Sequence, residues 1–266
     1  MIVRDEERLL PRCCANLAGV ADELVVLDTG SADRTPEILA EVAAGGAFAH
    51  VEWRRHPFGG FGVARQSALD LVRTEWALWM DADELLSPAL RTRLLALRDG
   101  GDLAAHDAWE MPRENRVLGR VMQGRNLRGQ FVLRLFRAAR GRLSDSLVHE
   151  RIVLAPGATL GRLAEPILHD TMYDWRAYVA KIDLYTDLEV SAGTRRFNPG
   201  SLLVAGGLAF TRHWIGRDGW RDGWPGFVWA FTAGWGSFLR NWKRGLKAVG
   251  LFRPRRRAGQ ARNCRS

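Results

Sequence analysis

The chain has 266 residues, 47% of them hydrophobic, and carries 39 Lys and Arg against 30 Asp and Glu, a formal net charge of +9. This composition supports a sizeable buried core and excludes a disordered chain, while the positive balance admits nucleic acid, anionic lipid or acidic substrates as partners. Cys13, Cys14 and Cys264 show neither a disulfide framework nor metal-binding spacing, no signal-peptide pattern opens the chain, and no apolar run nears the ~18 residues of a spanning helix, so a reducing cytosolic setting is expected.

Leu24 to Leu27 read as a buried strand ending in Asp28, and the polar turn that follows leads into a helix. Thr35 is placed to cap that helix, Pro36 suits its first position, and Ile38, Leu39 and Val42 form its apolar face. Phe58-Gly59-Gly60-Phe61-Gly62 predicts a loop running into a helix over 63–73, with Arg65 and Gln66 in its first turn. Trp76 to Glu84 reads as a strand ending in Asp81 and Asp83, two apart and therefore on one face of a strand. In an open α/β sheet the crevice beyond a strand's carboxyl end is where ligands bind. Two carboxylates so close repel unless a cation or a hydroxyl-rich ligand lies between them, and oxygen donors suit Mg²⁺ or Mn²⁺ completed by phosphate. The competing reading is a pair of solvated turn residues.

Ser87 and Pro88 then read as the cap and first residue of a helix with Leu90, Leu94 and Leu97 on one face and Gly100-Gly101 at its end. From Asp107 to about His169 the pattern becomes short alternating strands, including Ala108 to Met111, Phe131 to Phe136 and Ile152 to Leu154. Arg113, Arg116, Arg120, Arg125, Arg128, Arg134 and Arg137 fall in this stretch and either meet an acidic acceptor or coat a solvated face. Tyr178, Ile182, Tyr185 and Leu188 mark a helix over 173–192. After a break at Asn198-Pro199-Gly200 comes an aromatic stripe, Trp224, Phe227, Phe231, Trp235, Phe238 and Trp242, at spacings of three or four. Gly234 and Gly236 weaken that helix by about 1 kcal/mol each relative to Ala, a cost that burial of the aromatic face would offset. Packing against the chain itself or a second subunit, and seating at a lipid interface, are both open for this face. Residues 253–266 hold six arginines and no acid and read as a disordered basic tail.

DTGSADRT at 28–35, GFGVARQSAL at 60–69, LWMDADE at 78–84 and LVHERI at 147–152, in this order, resemble glycosyltransferase family 2. Within it they are similar to the bacterial branch that includes lipopolysaccharide core glucosyltransferases acting on heptose. The resemblance runs to about Tyr185 and implies an α/β GT-A fold, a Rossmann-like doubly wound mixed sheet. A nucleotide-sugar half would cover 1–105, an acceptor half 106–192, and a helical appendage 193–252. The resemblance further implies an inverting hexosyltransferase using a divalent cation, Mg²⁺ or Mn²⁺, and a nucleotide-sugar donor. Asp5, Glu6, Asp28, Arg65 and Asp81 would contact that donor, and Asp83 would hold the metal. A histidine late in the domain, here His169, is a candidate further ligand.

Inverting transfer needs a base to take the acceptor's proton, and Glu150 is the candidate. Its alternative is an ion pair with Arg151 or Arg142. His149 would orient the base, meet an acceptor or phosphate, or sit in the core. The implied acceptor is lipid-linked or lipopolysaccharide, met at the inner face of the cytoplasmic membrane. The family opens with a full strand where only Met1-Ile2-Val3 precede Arg4, so a start further upstream is expected. The alternatives are a sugar nucleotidyltransferase, which would need a glycine-rich loop where Arg4 to Arg8 stand, or a non-catalytic protein binding anionic lipid or nucleic acid. No zinc-finger or RNP-type motif supports the last.

Overall fold

The computed structural model describes residues 1–125, 127–144, 151–193 and 197–254. They fall into two compact units, one of Met1–Arg113 with Gln130–His169, the other of Glu114–Gly129 with the chain from Asp170 onward.

The first unit begins as alternating strands and helices: β1 (Ile2–Val3), α1 (Leu10–Leu17), β2 (Glu23–Asp28), α2 (Thr35–Ala44), β3 (His50–Arg55), α3 (Phe61–Leu69), β4 (Trp76–Leu78), β5 (Glu84–Leu86) and α4 (Pro88–Asp99). β1, β2 and β3 are parallel, with Val3 opposite Asp28 and Asp28 opposite Arg55. β2 is apolar from Leu24 to Leu27 because a parallel strand is buried on both faces. Next come β6 (Ala108–Val117), β7 (Arg120–Val121), β8 (Gln130–Arg137), β9 (Gly141–Leu143), β10 (Ile152–Leu154), β11 (Leu160–Arg162) and β12 (Ile167–Met172). A mixed sheet takes the order β4-β8-β6-β12-β5, with β7 and β11 also on β6, while β9 and β10 pair as a separate antiparallel ribbon.

The core of this unit joins Leu10, Cys13 and Leu17 of α1 to Val26, Leu39, Met80 and the Leu90, Leu94 and Leu97 face of α4. Burial pushes the thiols of Cys13 and Cys14 up, the latter to about 11, so both stay protonated and inert. Ser87 caps α4 as expected, its Oγ accepting the Leu90 N–H at 3.1 Å. Thr35 does not cap α2. Its Oγ1 accepts the N–H of Glu6 at 2.8 Å, and Asp33 Oδ1 takes the Thr35 N–H at 3.0 Å instead. A cavity of about 330 Å³, lined by Met1, Val25, Leu78, Met80 and Leu135 among others, lies between the edges of β2 and β4.

The second unit is chiefly helical: α5 (Trp175–Ala192), α6 (Pro199–Thr211) and α7 (Gly223–Ala248). The Asn198-Pro199-Gly200 segment follows the end of α5 and starts α6, where Asn198 Oδ1 accepts the Gly200 N–H at 3.0 Å and Pro199 needs no partner. Lys243 is buried between α7 and α5, its Nζ 2.6 Å from both Asp183 Oδ1 and Asp187 Oδ1. The aromatic stripe does lie along one helix, but the expectation about its glycines is corrected. Gly234 faces inward, where a Cβ would come within 2.9 Å of the Gly206 carbonyl oxygen, and a Cβ on Gly236 would meet Ile182 at 3.3 Å. These glycines let helices approach closely; they are not tolerated defects. Gly234→Ala should therefore lower the melting temperature despite Ala's helix propensity, whereas Gly207→Ala on open α6 surface should raise stability by up to about 1 kcal/mol. Equal shifts in thermal unfolding of the two variants would contradict this packing.

Candidate active site

β4 ends at Leu78, and the next residue still donates its N–H, from Trp79 to the Arg134 carbonyl at 2.7 Å. The chain then turns, with the Glu84 N–H donating to Asp81 O at 3.0 Å. Asp81 and Asp83 thus sit in a turn between β4 and β5, and the strand alternation invoked from sequence does not set their directions. Asp81 Oδ1 accepts from Arg65 Nη2 at 2.8 Å, and its Oδ2 lies 3.4 Å from Arg134 Nη2. Arg134 also pairs with the fully buried Glu84, which has Arg113 Nη1 at 3.9 Å. The guanidinium carbons of Arg65 and Arg134 lie 4.4 Å and 4.8 Å from the Trp79 ring centroid, so the indole fixes both.

Electrostatics separate the two acids. Burial disfavours the Asp81 anion, but Arg65 and Arg134, with a smaller contribution from His169, outweigh it and hold the carboxyl far below the usual range. At Glu84 burial dominates over Arg134 and pushes the carboxyl up. Burial would lower Arg134, but Glu84 and Asp81 reverse that and raise it. Arg134 is therefore neither a solvated surface arginine nor an acceptor contact; it is the cation beneath the turn.

The antiparallel register of β12 on β5 sets His169 opposite Glu84, next to Asp83 in sequence. His169 Nε2 consequently lies 3.5 Å from Asp83 Oδ2. One carboxylate oxygen and one imidazole nitrogen are donors that would suit a divalent cation, which phosphate oxygens and water would have to complete. No group of three or more such side chains occurs among the described residues.

Asp28 is fully buried at the end of β2. Its Oδ1 accepts the N–H groups of Gly30 at 3.1 Å and Ser31 at 2.8 Å and the Ser31 hydroxyl at 2.7 Å. Its Oδ2, wholly buried and 3.6 Å from Arg55 Nε, has no hydrogen bond among the described residues. Asp5 and Glu6 serve the adjoining loops. Asp5 donates its N–H to Ser31 Oγ at 2.9 Å, while its Oδ1 accepts the Ala32 N–H at 2.7 Å, and the Glu6 N–H reaches Thr35. On α3, Arg65 faces Asp81 while the next residue, Gln66, accepts the Leu143 N–H of β9 through Oε1 at 2.8 Å. His149 and Glu150 lie outside the described residues.

Sequence reasoning missed Glu84, Arg134 and Trp79 as parts of the site. The available signal was Arg134 itself, charged within the apolar run Phe131 to Phe136, which demands a buried acid opposite.

These features define a GT-A-type nucleotide-sugar fold. Residues 1–149 match the family model described as Glycosyl transferase family 2, and the chain belongs to that family of glycosyltransferases. It is 31% identical over 249 residues to a lipopolysaccharide core biosynthesis glycosyltransferase, LpsC, of Rhizobium meliloti, covering 90% of this chain and 88% of that one. A TPR repeat-containing protein of Synechococcus elongatus is 41% identical over 125 residues, 47% of this chain but only 29% of that protein. Among solved structures, the mannosyltransferase PcManGT of Pyrobaculum calidifontis, in complex with GDP-Man and Mn²⁺, superposes with a TM-score of 0.51 at 15% identity, covering 92% of this chain and 86% of that one. Family membership displaces the nucleotidyltransferase and nucleic-acid-binding alternatives.

Proposed function

We propose that this glycosyltransferase transfers a hexose, with inversion, from a UDP-linked donor to a lipopolysaccharide-core or related envelope glycan at the cytoplasmic face of the membrane. The observation that carries this reading is the convergence of Asp83 and His169 beside the Asp81–Arg65 pair. Kinship with LpsC over nearly the whole chain supports the acceptor class.

The carboxylate of Asp28 and the guanidinium of Arg65 bind base and ribose. Asp81, kept ionised by its two arginines, can only accept hydrogen bonds, and so orients hydroxyls of the ribose or the sugar. A divalent cation between Asp83 and His169 would supply Lewis-acid stabilisation of the charge that grows on the diphosphate. Glu150 takes the proton of the attacking acceptor hydroxyl. His149 contacts the acceptor or a phosphate.

Titration of UDP-sugars with and without Mn²⁺ tests the donor half. Asp83→Ala should abolish the metal-dependent part of donor binding and reduce kcat/KM about 100-fold or more. Metal-dependent binding that survives in this variant would remove the assignment.

A further inference from the structure

An ordinary surface helix turns its large apolar residues inward, and α7 does the reverse. Its buried positions are small, among them Gly226, Val228, Ala230, Thr232, Gly234 and Gly236, and the close approach of Gly234 to Gly206 fixes that face against α6. Outward go Trp224, Phe227, Phe231, Trp235 and Trp242, each 42–66% exposed. Ring contacts extend the patch: Phe227 meets both Phe210 and Trp214 at 5.7 Å, and Trp175 stacks on Phe231 at 6.5 Å. Val204 and Leu208 of α6 and Ile215 beyond it are exposed as well. An apolar surface of this extent has no reason to face bulk water.

Its chemistry selects the occupant. The stripe from Trp224 to Trp242 runs ~27 Å along the helix axis, yet no helix among the described residues is long and apolar enough to cross a membrane. Tryptophan and phenylalanine on one face with cations around them suit the headgroup layer, where the indole's apolar body and N–H are both satisfied. Charge agrees. Residues 199–266 contain thirteen of the 39 Lys and Arg but only two of the 30 acids, leaving 26 bases against 28 acids upstream, so the whole positive excess resides in this part of the chain. The two acids are themselves engaged, Asp218 with Arg125 and Asp222 with the N–H groups of Gln123 and Gly124.

We propose that the outer face of α7, with the neighbouring rings of α6, seats the protein in the interface of an anionic bilayer, with the helix axis lying in the membrane plane. Apolar contact comes from the rings, and Arg212, Arg221 and Arg253 supply positive charge for lipid phosphate. This surface is built from residues of the second unit alone and does not depend on the roles of those proposed for transfer.

Flotation of the full chain with phosphatidylglycerol vesicles and with phosphatidylcholine vesicles tests the proposal. Partitioning should favour phosphatidylglycerol, weaken as salt rises, and shift tryptophan emission to the blue. Trp224→Ser with Trp235→Ser, both at exposed positions, should leave the circular dichroism spectrum and melting temperature unchanged while lowering partitioning about tenfold or more per tryptophan. Absence of binding to phosphatidylglycerol would overturn the proposal, as would undiminished binding by the double variant. So would sedimentation showing that the same residues hold two copies of the chain together without lipid.

Discussion

Arg134→Met will lower stability at neutral pH by about 3–5 kcal/mol, because it leaves a buried carboxylate without its cation. Glu84 is wholly inaccessible and its principal partner is Arg134; the remaining guanidinium, Arg113, stands 3.9 Å away. The pH dependence gives the prediction a sign. The Glu84 carboxyl is already raised by burial, and losing Arg134 raises it further. Its ionised form then opposes folding at every pH above the unfolded value of about 4.3, and protonation relieves the penalty. The deficit should therefore shrink from pH 7 toward pH 5. Asp81 behaves oppositely in the wild type. Its folded value is depressed, so the stability given by Arg65 and Arg134 is full above the unfolded value of about 3.9 and is lost as pH falls toward the native one. Urea denaturation at both pH values reads these effects, and adding Glu84→Gln to the Arg134 variant should recover most of the loss. A deficit under 1 kcal/mol at pH 7, or one independent of pH, would mean that the turn is held by other contacts.

Glu150→Gln should reduce transfer by about 10²–10⁴-fold while leaving donor affinity unchanged, since the amide keeps the shape of the side chain but cannot accept a proton. The alternative, an ion pair with Arg142 or Arg151, makes the opposite forecast: a lower melting temperature and an unaffected turnover number. Measuring both quantities on one variant separates them, and normal transfer would remove Glu150 from the mechanism. This glutamate stands two residues after Val148 and one residue beyond the span that the family model matches.

Local chemistry made much of the fold readable. Ser87-Pro88 with leucines at 90, 94 and 97 predicts α4, because a cap and a helical period are written in neighbouring residues. The same holds for β2, where an apolar run ends abruptly in Asp28. Non-local contacts were not readable. Arg134 and Glu84 are 50 residues apart, and the pairing of strands in the mixed sheet, β8 with β4 among them, brings them to one turn. The direction of Asp81 depends on where β4 stops pairing, which its own residues do not encode. Periodicity placed the aromatic stripe on one face of α7 but was silent about which face turns inward; that followed from the glycines of two helices meeting. Thr35 looked like a cap until its hydroxyl was claimed by Glu6, 29 residues away.

One small junction carries a consequence for binding. Arg65 and Gln66 are consecutive on α3, the first gripping Asp81 and the second bolted to Leu143 at the end of β9. If a nucleotide sugar draws Arg65 away from Asp81, α3 transmits the adjustment to the strand that leads toward Val148-His149-Glu150. Under the roles proposed above, the two substrates would not bind independently: donor and glycan would each change the affinity for the other by the same factor, through adjacent side chains of one short helix.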